Sequence, residues 1–369
     1  MRIVIAGGSM AGLFAGALLQ QAGHDVHVYE RSKAGLQGRG AGLVAQQEVF
    51  DLLHMLGREE VARLGVVARE RITLDRNGAI ASVSGPPQMQ VSWDHLYIAA
   101  RLEIPDDAYH LGRGAVTAGQ DEAGAWVDLD DGKRIRADLI IGADGIGSAV
   151  RRSLLPGDVA ARYAGYVAWR ALVPERLLPV SASQLLSDRF AFFHMPGGQA
   201  LGYTVSGAGG ELTPGERRYN AVWYRTTRDL AATLTDRDGR VHSYSLPPGA
   251  VRPEAARQLL ASARDVLPPP FASVFEAEPQ PFVQAIFDME TPRMVNGRIA
   301  LIGNAAFVAR PHTAMGVAKA AGDAMALSRA VASGWTPHTS SVFEAERLKT
   351  GSAIVAYGRQ LGASLGVNG

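Results

Sequence analysis

Ile3-Val4-Ile5-Ala6-Gly7-Gly8-Ser9-Met10-Ala11-Gly12, with Asp25-Val26-His27-Val28-Tyr29-Glu30 after it, decides how the chain begins to fold. Ile3 to Ala6 is a short unbroken apolar run closed by two glycines, the pattern of a strand buried on both faces. Residues 9–22 carry Phe14, Ala17 and Leu18 at i, i+3 and i+4 among small residues, which predicts a helix ended by Gly23. Residues 25–30 alternate as a second strand, so the first 30 residues read as a right-handed βαβ unit. Gly7, Ser9 and Gly12 stand at the three fingerprint positions of a dinucleotide-binding turn. Gly7 permits the tight turn and Gly12 the close approach of helix to strand, while the backbone N–H groups around Met10 and Ala11 can hold a pyrophosphate. At the middle position Ser9 replaces glycine, small enough to admit a phosphate while crowding it. Glu30 closes the second strand, where a carboxylate accepts hydrogen bonds from an adenosine ribose. The competing reading is a glycine turn in an unrelated α/β protein; the acid in register with the fingerprint favours a nucleotide.

Working outward, two further strands lead into glycine turns: Leu139-Ile140-Ile141-Gly142-Ala143-Asp144-Gly145, and Ile299-Ala300-Leu301-Ile302-Gly303-Asn304. After Asp144 the chain runs on to Arg151, and Asp144 reads either as an acceptor for hydroxyls, as an orienter of Arg151, or as a helix cap. Arg151-Arg152 reads as a solvated pair. After Asn304, the loop Arg310-Pro311-His312-Thr313-Ala314-Met315-Gly316 delivers the chain to a helix expected over 313–333, whose start carries partial positive charge. Between Glu30 and the next elements, Arg31 precedes Gly38-Arg39-Gly40-Ala41-Gly42-Leu43-Val44, which is either a close backbone approach to a flat ring or a flexible loop. From 163 to 283 the texture changes to alternating, aromatic-rich segments such as Tyr166-Val167-Ala168-Trp169-Arg170 and Asn220-Ala221-Val222-Trp223-Tyr224, expected as antiparallel strands. Residues 207–215 read as a loop, Pro268-Pro269-Pro270 as a break, and 340–362 as a last amphipathic helix.

Composition limits the function. The 369 residues carry 37 Lys+Arg against 36 Asp+Glu, a net charge of +1, which excludes a generally basic nucleic-acid binder. With no cysteine there is no disulfide, thiolate metal site or cysteine nucleophile. His24 and His27 lie on a helix end and a strand, and no metal site is expected there. No targeting segment and no long apolar stretch is visible, so a cytoplasmic protein with no membrane partner is expected.

These three ordered segments make the chain resemble the single-component FAD-dependent aromatic hydroxylases of the p-hydroxybenzoate hydroxylase fold, from Met1 to about residue 330. Tyr163-Ala164-Gly165-Tyr166-Val167-Ala168-Trp169-Arg170 and Arg310-Pro311-His312 are most similar to the dihydroxypyridine hydroxylase branch. The resemblance implies an α/β fold: a Rossmann-like FAD-binding domain of the p-hydroxybenzoate hydroxylase/glutathione reductase type, with an inserted, mostly antiparallel β-sheet substrate domain and a C-terminal helix. It places the FAD domain at 1–70, 94–162 and 284–335, the substrate domain at 71–93 and 163–283, and the C-terminal segment at 336–369. FAD would bind through Gly7, Ser9, Met10, Ala11, Gly12, Glu30, Arg31, Gly42, Asp144, Gly145, Gly303, Asn304, Pro311, Ala314, Met315 and Gly316. NAD(P)H would dock transiently, and O2 would form a flavin C4a-hydroperoxide that hydroxylates a phenolic or hydroxypyridine-like ring. Pro311 and His312 are placed on the catalytic side; following Pro311 at the turn, His312 reads either as a group that hydrogen-bonds a substrate hydroxyl or helps to deprotonate it, or, as a lone histidine, as a structural residue. Tyr203 and Tyr224 are pocket candidates, as readily explained as core. The same chemistry serves epoxidation, oxidative decarboxylation or Baeyer–Villiger ring expansion, and a non-hydroxylating FAD-binding protein is a further alternative. A small aromatic partner and a possible homodimer complete the expectations. Three departures stand out: Asn304 where the family usually has Asp, Trp93 where many relatives carry Arg, and a short 80–113 stretch.

Overall fold

The computed structural model describes residues 1–38, 41–155, 157, 159–364 and 366; Arg39 and Gly40 of the glycine-rich stretch lie outside them. The opening unit forms where its pattern predicts. Strand Arg2–Ala6, helix Met10–Gln21 and strand Asp25–Glu30 follow one another, the two strands parallel with Ile3 opposite Val26. Ile3, Val4 and Ile5 are fully buried, as an unbroken apolar run requires of a strand covered on both faces.

That pair nucleates a six-stranded sheet ordered Val295–Asn296, Ile299–Leu301, Leu139–Gly142, Arg2–Ala6, Asp25–Glu30 and Tyr109–Leu111. Leu139–Gly142 runs parallel to Arg2–Ala6, with Ala6 opposite Gly142, and Ile299–Leu301 runs parallel beyond it, with Gly142 opposite Leu301. Because these neighbours are parallel and in register, their carboxyl ends finish at one edge. The turns at Gly7, Asp144 and Gly303 therefore stand side by side, where open α/β sheets bind ligands.

A second sheet has nine strands. Its centre is the long strand Arg162–Pro174, flanked by Arg218–Thr226 and Phe282–Glu290; Gly198–Val205, Arg189–Met195, Glu70–Leu74 and Ile80–Ser84 continue outward. The pairs are antiparallel except Arg189–Met195 with Glu70–Leu74, which is parallel. Both faces are buried. Val167, Trp169, Ala171 and Val173 join Tyr219, Trp223, Phe271 and Phe275 on one side; Tyr166 and Ala168 join Phe190, Tyr203 and Tyr224 on the other.

Some expectations need correction. The 163–283 stretch is not strands alone: helices Val180–Leu186, Leu230–Thr233, Pro253–Val266 and Pro269–Glu276 interrupt it. The prolines separate the last two, and Pro269 and Pro270 occupy the first helical positions, where a missing N–H costs nothing. The helix expected from 313 starts at Gly316 and runs to Ala332, because Pro311–Thr313 closes a 3₁₀ turn and Ala314 takes φ 54°, a left-handed conformation that breaks the ladder. The last helix is longer than its pattern predicted, Pro337–Ser364. Arg151 is not solvated: it is buried and donates to the carbonyls of Ala305 and Ile146, at 2.9 and 2.6 Å. Arg152 alone of the pair is exposed. No described helix is long and apolar enough to cross a membrane.

Candidate active site

The first turn is shaped by contacts that only glycine tolerates. Gly7 has φ 106°, and a Cβ there would strike the Ala143 carbonyl of the neighbouring strand's turn; a Cβ on Gly12 would strike the Gly7 carbonyl. Ser9 caps the helix by backbone conformation only, its hydroxyl making no capping bond, so it leaves the helix start open to an acceptor. Met10 and Ala11 turn their side chains into the core, which leaves their backbone as the part that can face a ligand. Glu30 is buried, and its two oxygens accept the N–H groups of Gly8 and Ser32 at 2.9 and 2.8 Å. A carboxylate offers about four lone-pair positions, so acceptors remain for a ribose. Arg31 beside it is exposed.

Asp144 is given to the helix it precedes. Its carboxylate accepts from the Ser148 hydroxyl, from Ala149 N–H at 2.6 Å and from Val150 N–H at 3.2 Å. The capping reading is what the geometry shows, and no hydrogen bond to Arg151 forms among the described residues. Gly145, with φ 78°, faces open space.

The third turn is tied from below. Gly303 has φ 60°, and a Cβ there would lie 2.5 Å from the Ala11 Cβ, so the first and third turns touch. Asp323 of the helix Gly316–Ala332 accepts the Gly303 N–H at 2.9 Å, and Lys319 Nζ donates to the Gly303 carbonyl at 2.8 Å and to Asp323 at 2.9 Å. Arg347 of the last helix donates to the other Asp323 oxygen at 2.7 Å. All three ionic side chains are buried. Asn304 itself points to solvent.

The Pro311 turn carries the remaining candidates. Arg310 lies on the Asp288 carboxylate, with Nη2 at 2.9 Å and Nε at 3.1 Å. Gln46 donates to the Ala314 carbonyl at 2.9 Å, and the Met315 N–H donates to the Thr313 hydroxyl at 3.1 Å. Gly316 opens the helix toward empty space, an unobstructed positive helix end. His312 sits between two tyrosines: its ring centroid is 4.2 Å from that of Tyr224 and 5.6 Å from that of Tyr166. The Tyr166 hydroxyl is 2.9 Å from His312 Nε2, while Nδ1 is buried with no hydrogen-bond partner. Burial, and then the nearby Arg310 charge, lower the His312 pKa to about 4. Burial raises the Tyr166 phenol well above its ordinary range despite Arg310.

The sheet face opposite His312 is more polar than its aromatic texture indicates. Asn220 is fully buried beside the Tyr203 phenol, with no well-formed side-chain hydrogen bond, and Arg170 Nε is buried without a partner. Arg170 lies close enough to Tyr203 and Tyr224 to oppose the rise that burial imposes on both phenols. Tyr203 donates to the Gly42 carbonyl at 2.8 Å, and a Cβ on Gly42 would lie 2.5 Å from the Tyr203 ring. Tyr166, Arg170 and Asn220 were not among the expected site residues. Their segments were recognised as strands, yet both strand faces are apolar enough to be buried, so alternation does not reveal which set faces the turns.

The predicted turns thus converge at one edge, with a polar, partly unsatisfied sheet face opposite His312. The residues fit FAD: open backbone at Gly145 and Gly316, a buried carboxylate at Glu30 and an uncapped helix start at Ser9. Residues 1–161 match the family described as FAD binding domain, and 163–288 the one described as FAD binding domain-like. The chain is 32% identical over 335 residues to 2,6-dihydroxypyridine 3-monooxygenase of Paenarthrobacter nicotinovorans, covering 89% of this chain and 82% of the relative. It belongs to the FAD-binding, p-hydroxybenzoate-hydroxylase-like monooxygenase family. The structure of 2,6-dihydroxypyridine-3-hydroxylase from Arthrobacter nicotinovorans superimposes with a TM-score of 0.91 at 30% identity, covering 99% of this chain and 92% of that one. A second relative, 3-amino-4-hydroxybenzoate 2-monooxygenase of Streptomyces cremeus, is 27% identical and covers 89% of this chain and 77% of its own length.

Proposed function

We propose that this family member hydroxylates a hydroxylated aromatic or N-heteroaromatic ring of the phenol or hydroxypyridine kind, using NAD(P)H and O2. The observation that carries the reading is His312, held by Tyr166 with Nδ1 left over, facing a sheet that offers Arg170 and Asn220 as further unsatisfied polar groups. Both relatives named above are called after hydroxylated rings, which supports the same substrate class.

Bound FAD would supply oxygen activation and electron transfer, held by the Gly7–Gly12 turn, Glu30, the Gly303 turn and the helix start at Gly316. The protein's part is orientation and charge. The Tyr166 hydroxyl and His312 Nε2 share a hydrogen bond; with the neutral phenol assigned as its donor, the ring hydrogen lies on Nδ1. With a pKa near 4 the imidazole is neutral at pH 7 and a poor base. Its role is then to donate Nδ1–H to a substrate oxygen, not to take a proton from it. Together with the Arg170 cation this favours binding of the ring as the oxyanion, its proton released to solvent before the site closes around it, a form more nucleophilic at carbon. Tyr203, Tyr224 and Phe190 on the same face exclude water, which strengthens both interactions.

The test is NADH and NADPH oxidation by the FAD-loaded protein against a panel of hydroxypyridines and phenols, with products identified by mass. A substrate-stimulated rate and a product heavier by one oxygen atom are expected. Bound flavin with no stimulated oxidation by any ring would overturn the reading.

A further inference from the structure

The large sheet has a second cleft, on the face turned away from His312. Strands Arg162–Pro174 and Arg218–Thr226 and helix Pro253–Val266 enclose about 300 Å³, enough for a small organic ligand. Arg225 and Arg252 reach it beside Thr233 and Gln258, above an apolar floor of Trp169 and Leu259. Arg225 follows Tyr224 and Trp169 follows Ala168, so alternation sets this cleft back to back with the polar face described above.

The two arginines are short of partners. Arg225 forms no ion pair among the described residues; its guanidinium lies over the Trp223 ring, 4.4 Å from the centroid, and burial lowers its pKa. Arg252 donates Nη2 to the Ala232 carbonyl at 3.0 Å, but its Nε is buried with no partner. Two acids lie close by: Asp229 lines the cleft with one oxygen accepting the Ala232 N–H at 2.9 Å, and Glu254, bonded to Arg257 at 3.1 Å, also feels the Arg252 charge; neither forms an ion pair with Arg225. The partly desolvated Arg225 guanidinium has no ion-pair partner among the described residues, which is costly, and an oxyanion in the cleft removes that cost through the charge-assisted bonds that arginine makes best, with the Arg252 Nε as a second donor. We propose that this cleft binds a small oxyanion, a carboxylate or phosphate group, through Arg225 and Arg252. The Trp169 floor would cover an apolar group attached to it.

Titration calorimetry on the FAD-loaded protein tests this, with inorganic phosphate and benzoate as separate probes, because FAD already occupies the phosphate-binding turn. Saturable binding of one probe is expected, and which one binds tells phosphate from carboxylate. Arg225→Gln and Arg252→Gln should each raise its dissociation constant at least about tenfold, the loss of one charge-assisted hydrogen bond. Should Arg225→Gln fail to fold because the guanidinium braces Trp223, Arg252→Gln decides alone. Failure of both probes to bind at tens of millimolar, or binding unchanged in the variants, overturns the proposal. Because the readout is binding rather than turnover, it stands or falls separately from the hydroxylase reading.

Discussion

His312 shows how much a residue's surroundings decide about its chemistry. As a ring on an exposed loop it would titrate near neutrality; enclosed between Tyr166 and Tyr224 and beside Arg310 it stays neutral down to about pH 4. The stability consequence has a definite sign. Above pH 6.5 the ring is neutral in folded and unfolded chains alike, so its burial has no protonation cost. Between pH 6.5 and about 4 the unfolded chain takes up a proton that the folded chain refuses. Stability therefore drops as the pH is lowered through that window, by up to about 3 kcal/mol. His312→Gln should flatten this part of the acid limb in urea titrations at pH 4 to 7. The same variant should lower kcat/KM for the ring substrate on the order of a hundredfold, as expected for losing a donor to developing negative charge, while FAD affinity is kept. Tyr166→Phe removes only the hydroxyl that fixes the imidazole tautomer; a roughly tenfold loss in kcat with KM little changed is expected from steady-state kinetics. Gly12→Ala is of another kind. Its new methyl meets the Gly7 carbonyl, which is backbone and has nowhere to go, so a loss on the order of 3 kcal/mol with loss of flavin absorbance on purification is expected. Gly7 and Gly12 were readable from sequence because the requirement is local to one turn. The Tyr166 partner of His312 was not, since the two are 146 positions apart.

Among elements, the helices Gly316–Ala332 and Pro337–Ser364 do more than cover the sheet. Through Asp323 they set the Gly303 turn: one carboxylate gathers a backbone N–H, Lys319 and Arg347, all out of water. Burying such charges is costly, and removing the shared partner strands two cations at once. Asp323→Ala should therefore cost about 3–5 kcal/mol, visible as a large fall in thermal midpoint, and should weaken FAD binding even though Asp323 itself lies beneath the turn. Asp323→Asn, which keeps the shape and one acceptor, should cost less. The helix was legible from its small residues, and Lys319 with Asp323 has the i, i+4 spacing of a helical ion pair. What the spacing could not reveal was its burial. An i, i+4 pair is usually a surface feature, and only Arg347, arriving from the next helix, makes this one a buried triad. The start of the helix was misplaced for a related reason: Thr313 and Ala314 have ordinary helix-compatible side chains, and the left-handed turn at Ala314 is imposed by Pro311 and by the contact with Gln46.

At the scale of the whole molecule, the last helix reaches both sheets. Arg347 joins it to the Gly303 turn, Arg359 lies 3.5 Å from Asp288 and 2.7 Å from Glu290 on the large sheet, and Gly351 and Gly362 lie so close to Phe307 and Arg310 that a Cβ would collide. Phe343, Ile354 and Val355 are buried beneath it, each contributing about 1.5–3 kcal/mol of apolar burial. A chain ending at residue 336 is expected to show no cooperative thermal transition, as followed by circular dichroism, because apolar surface and two ionic centres are exposed together. The sequence by itself determined the βαβ opening, the three glycine turns and their order, and the aromatic strand-rich region between them. Those features rest on contacts within a few residues: a turn needs its own glycine, a buried strand its own apolar run. Tertiary structure alone decided that the three turns meet at one edge, because parallel register between strands over a hundred residues apart is a property of the sheet. It alone decided that Arg151 is buried, that Asp323 carries the Gly303 turn, and that Tyr166, Arg170 and Asn220 face His312 while Trp169 and Arg225 face away. On a strand buried on both sides, hydrophobicity is satisfied in either orientation, and only the rest of the fold chooses between them.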